Sequence, residues 1–309
     1  MSRLGYSGEQ REALLAGKIV TTDLQRARDD QLIAAAAMKL PAGIEALWQG
    51  VGPGRSLDSD PGILAIGELG LENDETAWAQ LRFEDSEREE AERLLSFRGG
   101  SDFNLSRDEI ESLKAGVKGI RAEAGDMPDK VSAVYRGLLM DRHQAYLAGG
   151  LSGIAPYHHG GTTLHPAKEL NASVAQAKDF LTTFFPAFWA AFSGFPQAQD
   201  PEILNKFFWI KREVEGRPAF VLVHEMVTGG TDHILLTRRE HFVGHTYESL
   251  QVVALALPVE GGSAVFYVNS AFTDQITGFF SGVAQSVGQD RMRDDLTAYF
   301  KAVKEQRSE

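Results

Sequence analysis

The stretch that decides the fold runs LNKFFWIKREV (204–214), AFVLVHEMVT (219–228), HILLTRREHFV (233–243), YESLQVVALAL (247–257) and GSAVFYVNSAF (262–272). The turn-like EGRP, GGTD, VGHT and PVEGG separate these runs. Long runs rich in β-branched and aromatic residues, broken by Gly, Pro and Asp, predict an antiparallel meander. From Asp274 to Val303 the period changes, with Ile276, Phe280, Val283, Val287, Leu296, Phe300 and Val303 at helical spacing. The expectation is an α+β protein in which a curved antiparallel sheet holds one long C-terminal helix, an arrangement able to enclose an apolar cavity.

Working back toward the N-terminus, the period is helical from Glu84 to about Phe195. EREEAERLLSF predicts one helix. Ser106 with Glu109 three residues on forms a capping box for a second. A third is expected over Pro128–Ala148, stopping at Gly149-Gly150, and a fourth from Pro166. Before this block, GKIVTTDL, QLIAAAAMKL, GILAIGELG and ETAWAQLRF read as strands. Pro41 is expected to open a short helix, PAGIEALWQGV, and VGPGRSLDSDPG to be a loop.

The strand QLIAAAAMKL meeting the Pro-led helix PAGIEALWQGV, with the strands and helix after Leu204, resembles the START-like (SRPBCC, helix-grip) superfamily. The likeness covers about half the chain and rests on apolar patterning rather than fixed chemical groups. It implies one START-like domain over residues 1–309, with 85–203 as a helical insertion that departs from the minimal plan. It also implies a small hydrophobic or amphipathic ligand, with catalysis in only some members.

The formal net charge of -12 argues against nucleic acid, which needs a concentrated basic footprint. Cysteine is absent, which removes disulfides, thiol nucleophiles and thiolate metal sites. The N-terminus as it stands has no apolar signal core. That reads as cytoplasmic, or as exported if Met1 is not the natural start. No run approaches the ~20 apolar residues of a membrane span. The closest, FLTTFFPAFWAAFSGF (180–195), is broken by Pro186. It reads as core, as the wall or mouth of a ligand cavity, or as a surface that touches a membrane or a partner, a second copy in a homo-oligomer included.

Five places could carry chemistry. On the third predicted helix, Val131, Tyr135, Leu138, Arg142 and Tyr146 share one face, so Arg142 sits in an apolar and aromatic stripe. A guanidinium there requires a carboxylate partner or an anionic ligand. The segment LSGIAPYHHGGTTLHP brings Tyr157, His158, His159 and His165 into a Gly-rich loop, either a plain connection or a lid over a ligand. In RREHFVGH, Arg239 should point with His241, and Arg238 and Glu240 to the other face. These residues and His245 are expected on a solvated sheet face near a turn. In AFVLVHEMVT, alternation places Phe220, Leu222, His224 and Met226 on one face and Val221, Val223, Glu225 and Val227 on the other. His224 is then a hydrogen-bonded core residue or a general base lining a cavity. Trp209, in FFWIK, completes the set.

Nucleotide loops, HExxH and GxSxG are all missing from the sequence. The candidate ligand-binding residues are Tyr135, Arg142, Tyr146, Tyr157, His158, Trp209 and His224. No catalytic residue can be named, and no cofactor or resident metal is expected. His158, His159, His165, His241 and His245 are the residues that would hold a metal if one were bound. The reading is binding or carriage of an amphipathic small molecule; the alternative is an enzyme using cavity histidines for acid/base or metal-dependent chemistry.

Overall fold

The computed structural model describes residues 6–51, 57, 60, 62–72, 74–277 and 281–306. In chain order its elements begin with α1 (Gly8–Leu15), β1 (Val20–Asp23), β2 (Gln31–Leu40), α2 (Ile44–Val51) and β3 (Ile63–Leu69). A helical segment follows: α3 (Glu75–Trp78), α4 (Arg88–Ser96), α5 (Arg107–Gly116) and α6 (Met127–Gly149). Then come a hairpin of β4 (Tyr157–His159) and β5 (Thr162–Leu164), α7 (Pro166–Phe184) and α8 (Pro186–Gly194). The meander is β6 (Leu204–Val214), β7 (Arg217–Gly229), β8 (Ile234–Val243), β9 (Ser249–Val259) and β10 (Gly262–Phe272). The final helix is α9 (Ser281–Gln306).

Eight strands form one antiparallel sheet in the order β1-β2-β10-β9-β8-β7-β6-β3. The first long strand therefore lies beside the last, and β3 lies at the far edge. With α9 packed on β2, this is an α+β helix-grip arrangement. Gln289 of α9 explains part of the docking. Its side chain accepts from the Ile33 N–H at 3.2 Å and donates to the Ile33 carbonyl. Those backbone groups lie just past Asp23↔Ala34, the last pair of the β1 ladder, and would otherwise be unpaired.

Alternation sorts the sheet into two faces. One carries Phe207, Trp209, Phe220, Leu222 and Phe242, packed with α4–α7 in one core cluster. Met226, Leu235, Leu255 and Phe266 continue that face against α1, α7 and α8. The other face carries Ala34, Ala36, Met38, Leu40, Val227, Leu236 and Ala256 against α2 and α9. Phe208, Ile210, Val221, Val223 and Val243 extend it under Leu57. Helices cover both faces, so the strands are apolar on both sides.

Several expectations change. ETAWAQLRF is not a strand: the Asp74 carboxylate accepts from the Thr76 N–H at 2.9 Å, starts α3, and turns Trp78 into the core. Pro41 does not open α2, because the Ala42 carbonyl accepts from Ser263 Oγ and holds that residue in a bend. The Gly-rich histidine segment is a paired hairpin turning at Gly160, where φ is 60°. On α9, Leu296 and Phe300 are buried but Val287 is 62% exposed. Phe280, the Val283 side chain and most of the VGPGRSLDSDPG loop lie outside the described residues. No described helix is long and apolar enough to cross a membrane.

Candidate functional site

The candidate residues from the sequence divide into separate groups. Tyr146, His224 and the previously unassigned Arg239 and Asn205 form one hydrogen-bonded chain on the helical side of the sheet. Arg239 Nη1 donates to Tyr146 Oη at 2.9 Å, and Tyr146 Oη lies 2.8 Å from His224 Nδ1. His224 Nε2 lies 2.9 Å from Asn205 Oδ1, so the network assigns its proton to Nε2. Burial, with Arg239 nearby, holds the His224 pKa well below the usual imidazole range; burial also raises that of Tyr146, against the opposing pull of Arg239. Both groups are therefore neutral, and each of these contacts is already taken.

His241 stacks on Tyr146 with ring centroids 3.9 Å apart. It reaches that position through a β-bulge: Leu222 pairs with Phe242 and Val223 with Glu240, so His241 is the extra residue. Two consecutive side chains, His241 and Phe242, then face the helices. Arg239 points with His241 as the alternation implied. The expected solvated face is wrong, however, because α6 and α8 cover one side of RREHFVGH and the α9 side is enclosed as well. Arg238, Arg239, Glu240, His241 and His245 are all buried.

Arg142, Tyr135 and Tyr157 converge on Phe242. The Arg142 guanidinium lies 4.7 Å from the Phe242 ring centroid and 5.1 Å from that of Tyr157. Its charge is met by Glu109 Oε2 at 2.6 Å, the carboxylate that also caps α5 by accepting from the Ser106 N–H. Trp209 lies apart, donating from Nε1 to the Ala77 carbonyl at 2.8 Å, and Gly67 gives it room because a Cβ there would collide with the indole.

His158 lines a surface cleft on the far side of the helical segment. His159 bridges Asn104 Oδ1 at 2.9 Å and Asp274 Oδ2 at 3.1 Å, and Asn104 is a buried structural residue holding the Val243 and Tyr247 carbonyls. His245 contacts Thr246 Oγ1 and the Pro218 carbonyl. His165 precedes α7. Among the described residues no three His, Asp or Glu come together as a metal set.

Asp274 also joins a carboxylate group at the sheet rim. Its N–H donates to Glu248 Oε1, and Ser249 Oγ donates to Glu169 Oε2. Burial raises the Glu248 pKa to about 10, with Glu169 and Asp274 adding to it, and raises that of Glu169 to about 7.

The α9 side holds a second polar arrangement. Across five strands, Asn269 lies opposite Val252, Val252 opposite Arg238, Arg238 opposite Glu225, and Glu225 opposite Lys206. Arg238 Nε donates to Glu225 Oε1 at 3.2 Å. Beside this row Arg212 meets Glu240 and Asp60, each at 3.1 Å, and Tyr247 Oη donates to Glu240 at 2.6 Å. Burial opposes the Arg212 charge, but Glu240, Tyr247 and Asp60 outweigh it and leave its pKa above the ordinary arginine value. Around the row the sheet carries the small residues Ala34, Ala36, Ala254, Ala256, Val252, Val221 and Val223, with the larger Met38, Phe208, Ile210 and Tyr267 among them. At the β3 edge Ile66, opposite Ile210, is 37% exposed. Buried side-chain atoms without a hydrogen-bond partner occur on both faces: Arg212 Nε, Glu240 Oε1 and Asn269 Oδ1 here, Tyr135 Oη, Arg142 Nε, His143 Nδ1 and His241 Nε2 opposite.

Sequence reasoning missed Arg212, Glu225, Arg238, Glu240, Tyr247 and Asn269 as a group. The available signal was strand alternation, which already separated Arg238 and Glu240 from Arg239 and His241.

No family model matches this chain, and no curated protein matches it. Among solved structures it is similar to the one titled "Crystal structure of Ara h 8.0201", at 13% identity over 45% of this chain and 89% of that chain, with a TM-score of 0.20. A likeness at that score carries no argument. The fold rests on the strand order and the C-terminal helix.

Proposed function

We propose that this protein binds a small amphipathic molecule between the sheet and α9, as a START-like domain carrying a helical insertion. The observation behind this reading is the amphipathic floor beneath α9. A row of paired charges and an amide crosses a surface of Ala and Val, with Leu236, Leu296 and Phe300 as apolar wall. Mostly apolar walls with a few placed polar groups are what ligand sites require. In this reading the ligand's apolar body lies along the small-residue floor. Its polar end meets Asn269 and the Arg212–Glu240–Tyr247 group.

The Arg142, Tyr146 and His224 groups act as internal stabilisers of the helical side in this reading. Glu109 meets the Arg142 charge, and Tyr146 and Asn205 occupy both ring nitrogens of His224, which favours binding over histidine-based catalysis.

Native mass spectrometry of the purified protein against its denatured mass tests the proposal. The expected result is an added mass of several hundred daltons that leaves on denaturation, or saturable uptake of a fluorescent amphiphile such as anilinonaphthalene sulfonate. A bare mass with no saturable uptake would overturn it. An added mass that persists when the floor is filled by Ala254→Phe would place the ligand elsewhere.

A further inference from the structure

A cleft of about 370 Å3 opens on the helical segment, away from the floor under α9. Its walls are the loop after α4, the face of α5 and the β4–β5 hairpin. They bring Arg98, Arg107, Lys114 and His158 around the buried Ile110. In a chain with net charge -12, this lining holds three cations and one carboxylate, Glu111, which Lys114 engages at 2.8 Å. The local excess is two positive charges, opposite in sign to the molecule.

Much of that donor capacity is uncommitted. Arg98 uses Nη1 on the Leu95 and Phe97 carbonyls, at 3.0 and 2.7 Å, and its Nε and Nη2 have no hydrogen-bond partner among the described residues. The Arg107 guanidinium and the His158 ring have none either among the described residues. Gly99, Gly100 and Gly160 complete the rim at φ of 118°, 125° and 60°. Added Cβ atoms at Gly100 and Gly160 would meet open space, so the backbone is free for close approach by an anion.

We infer that this cleft binds a phosphate dianion, free or as a small-molecule monoester. A dianion cancels the excess charge. Two guanidiniums and an imidazole offer several N–H donors to its oxygens, matching phosphate better than a single carboxylate. The volume lies in the range of small-molecule sites and is far below what a nucleic acid chain requires. Ile110 gives a monoester's carbon skeleton an apolar contact.

Amide-resolved NMR titration with inorganic phosphate, at constant ionic strength set with chloride, tests the inference. Expected are saturable shifts at the Gly99, Gly100 and Gly160 amides, with affinity falling about tenfold in Arg107→Ala, the loss of roughly one charge-assisted hydrogen bond. Arg107 is exposed, so the variant folds. His158→Ala should weaken binding less. Tighter binding of glycerol phosphate, with a shift at the Ile110 methyl, assigns the site to monoesters, and tighter binding of orthophosphate assigns it to the free ion. Shifts that never saturate, shifts unchanged in Arg107→Ala, or equal binding of succinate would overturn the inference.

Discussion

The helical side of the sheet is packed with rings, whereas the α9 side sets Ala and Val around a few large side chains, Met38, Phe208 and Tyr267. On the first, Tyr135 packs among Phe83, Phe103, Phe220 and Phe242, and His224 lies between Phe195 and Phe207 with centroids 4.4 Å away on each side. Polar groups there meet one another over short distances in a box of aromatic carbon. On the second, Ala34, Ala36, Ala254 and Ala256 lie beneath a long helix that brings Tyr299 and Phe300 against Tyr267, with centroids 6.0 and 5.9 Å apart, and charges are strung across five strands. In the function proposed above, side-chain size decides which face admits a guest. Of the candidate residues, Tyr135, Tyr146, Trp209 and His224 pack on the helical side, whereas His158 lines the surface cleft.

The largest test of this contrast is Arg142→Ala. It leaves the largely buried Glu109 carboxylate without its partner and empties space beside Phe242. The expected loss is about 3–5 kcal/mol in urea unfolding. A cost near zero would mean the helical side tolerates vacancy and is not a filled core.

Next is the pH profile. Glu169 and Glu248 are raised in the fold, so the unfolded chain loses its protons first. Stability should therefore fall as pH rises from about 4.5, through about 7 for Glu169 and toward about 10 for Glu248. The Glu169 part is on the order of 3 kcal/mol. His143, His224, His241 and His245 are lowered, so acidification below about 6.5 protonates the unfolded chain first and also costs stability. Thermal melts of Glu248→Gln across this range should show a higher Tm at neutral pH and a flatter alkaline limb. An unchanged limb would show that the rim carboxylates are ionised in the fold.

Tyr146→Phe comes third. Removing one hydroxyl leaves Arg239 Nη1 and His224 Nδ1 unsatisfied, so about 1–3 kcal/mol should be lost in the same unfolding assay, with amphiphile uptake unchanged. Loss of uptake with intact stability would move the binding site to the helical face.

The smallest effect on stability belongs to Ala254→Leu on the α9 side. Where space exists, the change should stay within ~1 kcal/mol while uptake of an amphiphile falls. A destabilisation of about 1–3 kcal/mol would show instead that α9 already packs tightly on this floor.

Local chemistry wrote most of the elements into the sequence. β6 runs from Leu204 to Val214 as its alternation and the following Glu215–Gly216 turn require, and α5 starts where Ser106 and Glu109 cap each other. Both depend on neighbours within a few residues, so they are legible without a fold. The single helical turn at Glu75–Trp78 reads as a strand in the sequence because its apolar spacing is too short to set a period. The deciding contact there was one Asp74 side chain.

What only the tertiary structure decided is which side of each strand meets which helices. Alternation separates Arg239 from Arg238 and His224 from Glu225, but it does not say which set faces α6 and α8 and which faces α9. The bulge at His241 depends on pairing with β7, a partner chosen by the sheet as a whole. The same holds for the cleft at His158, where the β4–β5 hairpin meets the cations of residues 98–114, more than forty residues before it. Secondary structure follows from short-range hydrogen bonding and periodicity. A site is a meeting of distant side chains, and only packing brings those together.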